Sequence, residues 1–207
     1  RSLSGAITVT AGSIRLDEAG ELASTIAMSG GTLDADNSLT LSGTLTQSGN
    51  ITIDVADNKT LTYSGAALSL DNNTLTLSGE GRLSNSYPLV LNNASSKLLL
   101  SNSITVDSVR TSLASLGLDV DANSTVTSLT VGHTTPVSIA SSRTLSGAIT
   151  VTAGSIKLDE TGTLASTIAM SGGELDADNS STLSGTLTQA GDITIDVADN
   201  KTLTYSG

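Results

Sequence analysis

An all-β fold is what this sequence predicts: a single-stacked parallel β-solenoid (β-helix) of about ten coils, each of about 20 residues. Three observations point there. The stretch 1–65 returns as 143–207 at an offset of 142 residues, with only eight differences over 65 aligned positions. Inside that long repeat, short alternating apolar phrases recur at a looser period near 20 residues, broken each time by Gly, Asn, Asp or Ser. The composition holds no Phe, Trp or Cys and only 1% aromatic residues, so Leu, Ile, Val and Ala must fill any interior. Residues 1–207 are therefore one continuous solenoid, with 1–142 one full super-repeat and 143–207 the start of the next copy.

Each coil is expected to carry three short strands. The first alternates as Ile7-Thr8-Val9, Ile26-Ala27-Met28, Ile104-Thr105-Val106 and Leu129-Thr130-Val131. A second follows a small or Gly turn, as in Ile14-Arg15-Leu16, Ile51-Thr52-Ile53, Leu89-Val90-Leu91, Leu118-Asp119-Val120 and Val137-Ser138-Ile139. The third comes after an Asp/Asn corner, as in Leu39-Thr40-Leu41, Leu61-Thr62-Tyr63, Leu75-Thr76-Leu77 and Leu98-Leu99-Leu100. Head-to-tail units of this kind cannot close by hairpins, but they suit coils stacked at strand spacing, about 4.8 Å.

Anchoring on the first strand predicts an internal aliphatic file of Ile7, Ile26, Leu45, Ile104, Leu129, Ile149, Ile168 and Leu187, with Leu68 and Leu83 filling the coils between Leu45 and Ile104. Each such side chain, fully buried, contributes roughly 1.5–3 kcal/mol. Two residues on, the column Val9, Met28, Gln47, Leu70, Asn85, Val106, Val131 and Val151 also points inward, so Gln47 and Asn85 need hydrogen-bond partners. Between the two runs an outward row, Thr8, Ala27, Thr46, Ser69, Ser84, Thr105, Thr130 and Thr150. At the corners, Asn37, Asn58, Asn73, Asn93, Asn123, Asn179 and Asn200 are expected to form a ladder. Two stretches break the pattern. Val109, Leu113 and Leu116 stand at helical spacing before Gly117, which predicts a short helix within 107–117. Pro88 lacks a ladder donor, so its strand should begin after it.

For function, the net charge of −11 disfavours nucleic acid, whose phosphates such a surface repels. With no apolar run near the length of a spanning helix, membrane insertion by a helix is not expected either. Alternate carboxylates such as Asp34, Asp36 and Asp54 are read as turn formers in preference to calcium ligands. The single histidine, His133, sits in a Gly-His-Thr-Thr-Pro loop away from any nucleophile motif. Tyr63, Tyr87 and Tyr205 do not cluster beside paired carboxylates, as a polysaccharide-cleaving β-helix would want. The expectation is therefore no enzyme, no cofactor and no required metal. An ice-binding surface is a second reading, from Thr8-Val9-Thr10, Thr44-Leu45-Thr46 and Thr150-Val151-Thr152, although Ala27, Asp71 and Asp107 interrupt the rows. A polysaccharide-acting β-helix is a third.

The phrases Thr-Leu-Thr-Leu-Ser-Gly at 74–79, Gly-Thr-Leu-Thr-Gln-Ser-Gly-Asn-Ile-Thr at 43–52 and Ala-Gly-Ser-Ile-Arg-Leu-Asp at 11–17 carry a resemblance. The chain resembles the β-solenoid repeats of giant bacterial surface proteins, the filamentous-haemagglutinin-like adhesins and autotransporter passengers. That resemblance implies an extracellular or cell-surface stalk or fibre with a structural role. The near-identical super-repeat departs from a single passenger stalk and favours a fibre-forming array. Because both ends fall in mid-repeat, the expected partner is the same solenoid continued end to end, with any host or environmental ligand unknown.

Overall fold

In the computed structural model, which describes residues 5–207, about ten coils stack through strands that all pair in parallel. The opening coil holds β1 (Ala6–Val9), β2 (Ser13–Leu16) and β3 (Gly20–Leu22), and the next β4 (Thr25–Met28), β5 (Thr32–Ala35) and β6 (Leu39–Leu41). Then come β7 (Leu45–Gln47), β8 (Ile51–Val55) and β9 (Thr60–Tyr63), followed by β10 (Leu68–Ser69), β11 (Thr74–Ser78) and β12 (Arg82–Asn85). The middle of the chain is β13 (Leu89–Leu91), β14 (Lys97–Leu100), β15 (Thr105–Thr111), β16 (Gly117–Val120), β17 (Ser124–Val131), β18 (Thr135–Ile139) and β19 (Thr144–Val151). The last coils hold β20 (Ser155–Leu158), β21 (Thr163–Leu164), β22 (Thr167–Met170), β23 (Glu174–Ala177), β24 (Ser181–Leu183), β25 (Leu187–Gln189), β26 (Thr194–Val197) and β27 (Leu203–Tyr205).

Three faces result. The second is one ten-stranded sheet from β2 to β26, and the third runs from β3 to β27. The first begins as the separate sheet β1-β4-β7 and resumes at β10 and β13. From there it merges with the third face, because β15, β17 and β19 each run unbroken around the corner between them. Alternation does the sorting. In β8 the residues Ile51, Ile53 and Val55 are buried while Thr52 and Asp54 lie between them facing out. Ile26, Leu33, Leu75, Leu98 and Ile168 are wholly inaccessible to solvent.

The strand pairs fix the internal file. Ile7 stacks on Ile26 and Ile26 on Leu45. Beyond the resumption, Leu68 stacks on Leu89, then come Val109, Leu129, Ile149, Ile168 and Leu187. The file therefore differs from expectation at one stretch: Leu89 and Val109 take the places assigned to Leu83 and Ile104. Leu83 belongs to the third face, between Leu61 and Val106. Ile104 is buried just ahead of β15, where its carbonyl accepts from the Thr125 amide at 3.0 Å. The inward second column is likewise completed by Leu91 and Thr111, not Asn85 and Val106. Leu89-Val90-Leu91 is a first-face strand, while Leu75-Thr76-Leu77 and Leu98-Leu99-Leu100 lie on the second face.

No helix forms within 107–117; the segment finishes β15, turns, and enters β16. The reason is stacking. Val109, Arg110 and Thr111 are held in the ladder between β13 and β17, which a helical turn would forfeit, and Leu113 and Leu116 remain about half exposed at the corner. Pro88 does precede its strand, β13. Pro136, in contrast, lies inside β18.

Residues 1–4, where the first copy starts, lie outside the described residues. Beyond them the apolar difference between copies is Leu39 against Ser181. Ser181 is buried, and its hydroxyl donates to the Glu160 and Asn179 carbonyls at 2.8 and 3.1 Å. A polar group in a core position is tolerated when its bonds are made.

Candidate functional site

Chemistry-bearing side chains are distributed over faces and corners, so the candidate site is a surface and not a central cleft. On the second face Arg15 stands beside Asp34, which stands beside Asp54, in an in-register row. Arg15 reaches Asp17 at 2.8 Å and Asp36 at 2.5 Å. In the second copy Lys157 keeps the link to Asp178, the counterpart of Asp36, at 2.7 Å, and its second partner is Asp176, the counterpart of Asp34, at 3.4 Å. The Asp178 hydrogen bond, with Asp176 adding, pushes the Lys157 ammonium up to about 12 against partial desolvation. Lys97 pairs with Asp119, and Arg82 meets Asp107 at 2.7 Å. The Arg15 pair with Asp17 is well exposed, where it fixes side-chain order more than it stabilises, while Lys97, Asp119, Lys157 and Asp176 are partly covered.

Burial pushes the Asp34 carboxyl above its ordinary value, with Asp36 and Asp54 adding and Arg15 opposing. A carboxyl raised in the folded state holds its proton better folded than unfolded. Its favourable contribution is fully present below the unfolded value and is lost as pH rises through the folded one. Asp34→Asn is therefore expected to raise the melting temperature at neutral pH relative to the parent. The gap should close in acid, below the ordinary value of 3.8, and melting curves across that range check it.

The first face is nearly free of charge. Its outward row reads Thr8, Ala27, Thr46, Ser69, Val90, Arg110, Thr130, Thr150, Ala169 and Thr188. A more regular threonine row lies on the third face, where Thr144, Thr163, Thr182 and Thr204 stack in register. The expected first-face row holds at Thr8, Ala27, Thr46, Ser69, Thr130 and Thr150. Val90 and Arg110 take the places assigned to Ser84 and Thr105, which lie on the third face; strands of both faces share the same alternation.

The asparagines divide between two corners. Asn37, Asn58, Asn123, Asn179 and Asn200 turn the chain from the second face to the third, while Asn73 and Asn93 turn it from the first to the second. They bind mainly backbone instead of one another. Asn37 donates to the Asp17 carbonyl and Asn179 to the Asp159 carbonyl, each one coil back. Asn123 accepts from the Thr144 amide at 3.0 Å, and Asn93 accepts from the Ser95 amide at 3.0 Å. Asn73 donates to the Leu70 carbonyl at 3.2 Å. Asn58 and Asn200 adopt φ of 57° and 60°, the left-handed turn that Asn tolerates. So the corner set is a series of turn and cap residues, and a single Asn ladder is not what it forms. His133 is exposed at the corner between β17 and β18. Among the described residues no three His, Asp or Glu side chains converge as a metal set would.

One place on the first face is built differently. The ladder stops at β7, and β10 does not continue it. A slot of about 220 Å³ opens there, lined by Leu45, Gln47, Leu68, Thr44, Thr46 and Asp71 among others. The Tyr63 hydroxyl enters from the third face and accepts from the Leu45 amide at 3.1 Å. Asn85, the other predicted buried polar, is fully engaged, donating to the Ser108 carbonyl at 2.7 Å and accepting from its amide at 3.2 Å. Gln47 is not: its Nε2 donates to the Leu70 carbonyl at 3.4 Å, but its buried Oε1 has no partner. The tyrosine feature recurs, with the Tyr205 hydroxyl accepting from the Leu187 amide at 3.4 Å.

No family model, curated protein or solved structure matches this chain. Its functional reading therefore rests on its own geometry. Tyr63→Phe is expected to strand the Leu45 amide and cost about 1–3 kcal/mol by denaturant unfolding. Tyr205→Phe, at a more exposed and longer bond, should cost less.

Proposed function

We propose that this chain is a structural segment of an extracellular, cell-surface solenoid fibre of the bacterial adhesin type, extending by continued stacking of its own repeats. One observation carries the reading. The ladder carries on across the joint between the two copies, at 142–143: after one bulge between Val126 and Ser128, Leu129, Thr130 and Val131 of β17 stack in register on Ile149, Thr150 and Val151 of β19. From Ile7 to Ile149 the file takes seven coil steps, so the 142-residue repeat closes on a whole number of coils. Each further copy then adds the same seven layers, roughly 34 Å of length, with no adapter between them. Largely aliphatic, uncharged stacking contacts inside and charge outside suit a rigid spacer that stays soluble.

Immunogold labelling of intact source cells with an antibody against this folded chain tests the reading. Label on filaments beyond the envelope is expected. Label confined to lysed cells would overturn it.

A further inference from the structure

Among the described residues Gln47 Oε1, Ser115 Oγ and Asp176 Oδ1 are buried without a partner, and Gln47 is the one of these three that lines the slot between β7 and β10. Its floor is aliphatic, from Leu45, Ala67 and Leu68. Its polar side chains are Gln47, Thr44, Thr46, Ser69 and Asp71, with no basic residue among them. Gln47 is buried and its Oε1 accepts from nothing. Asp71 accepts at Oδ1 from the Asn92 amide group at 2.7 Å, and its backbone amide donates to Asn92 at 2.8 Å. That pairing holds Asp71 in place at φ 48° while leaving its second oxygen facing no basic partner. A buried acceptor without a donor is costly, and the missing ladder contact leaves a slot beside Gln47 in which a donor can be placed.

What fits is a group that only donates, carries positive charge and trails an aliphatic stem. We propose that this slot binds a primary alkylammonium group, the nitrogen donating to Gln47 Oε1 and the Asp71 carboxylate and the methylenes lying on Leu45 and Leu68. A protein of net charge −11 draws such a cation toward it. An alcohol of the same shape gives Gln47 a donor but leaves the carboxylate without a counter-charge. Sources of the group include a free amine and a lysine side chain of another protein. Thr44, Leu45, Thr46 and Gln47 return as Thr186, Leu187, Thr188 and Gln189, so the β7 half of the slot is written once per super-repeat.

The test is amide-resolved NMR titration of the chain at low salt with n-butylammonium, with n-butanol as the neutral control. Saturable shifts confined to 44–47 and 67–71 with the amine, and much weaker ones with the alcohol, are expected. Gln47→Leu, which matches its file neighbours Met28 and Leu70, should keep the fold and abolish the response. Asp71→Asn, which keeps the turn and an acceptor for Asn92, should weaken it at least about tenfold. A lysine-containing peptide titrated against the same amides, beside its acetyl-lysine form, separates a protein source from a free amine. Equal response to amine and alcohol, no response to either, or a response unchanged in Gln47→Leu would each overturn the proposal and leave the slot as a solvent-filled gap.

Discussion

Ile26→Asp is expected to abolish cooperative folding of the first coils, a loss of at least about 3–5 kcal/mol. Ile26 is wholly inaccessible, and its neighbours along the file are Ile7 and Leu45. An aspartate there would put a carboxylate between two aliphatic side chains with no cation in reach, so it must either stay charged without a partner or take up a proton. Ile168 holds the same place in the second copy, equally buried between Ile149 and Leu187, and Ile168→Asp should behave alike. The control lies one residue away. Ala27→Asp points the same charge to the outer side of β4 and should cost within about 1 kcal/mol. Circular dichroism melts of the three variants check this, and equal melting temperatures for Ile26→Asp and Ala27→Asp would refute the inward assignment.

Gly79→Ala should be nearly as damaging, for a different reason. Gly79 has φ +84°, and a methyl group there would stand 1.9 Å from the Val55 carbonyl oxygen of the coil before it. Main chain cannot yield as a side-chain tip does, so the coils would have to part. Gly12 separates the two costs. It has a similar φ of +80° but open space where its methyl would go, so Gly12→Ala bears only the left-handed backbone penalty. Gly12→Ala is expected to lose roughly 1–2 kcal/mol and Gly79→Ala several more, read from denaturant unfolding. Similar losses at both positions would mean that coil spacing is looser than this packing requires.

How much of this was legible beforehand depends on the coil. Period-two alternation and turn residues suffice where each face has its own strand, and there Ile7, Ile26, Leu45, Leu129, Ile149, Ile168 and Leu187 fall where the repeat puts them. They mislead between Leu68 and Leu129. Ile104-Thr105-Val106 reads like a first-face strand, yet it enters the third face, because β15 runs around the corner without a turn residue to mark it. Spacing held the missing signal. Leu68 to Leu83 is 15 residues, too few for a coil, whereas Leu68 to Leu89 is 21 and Leu89 to Val109 is 20. The corner asparagines were found as turn formers but merged into one ladder, since Asn suits both corners equally. The slot at β7 and β10 was half visible. Gln47 stood out as a polar residue in an apolar column, but that a tyrosine hydroxyl from another face would replace a ladder bond beside it has no local sequence mark.

The central claim is that each 142-residue repeat is seven parallel strand layers stacked along one axis. Cryo-electron microscopy of filaments, or fibre diffraction from aligned chains carrying several repeats, measures this directly. Strands lying across the long axis at about 4.8 Å, with a super-period of roughly 34 Å holding seven layers, are expected. Strands running along the axis, antiparallel neighbours, or a super-period that is not seven layers would contradict it.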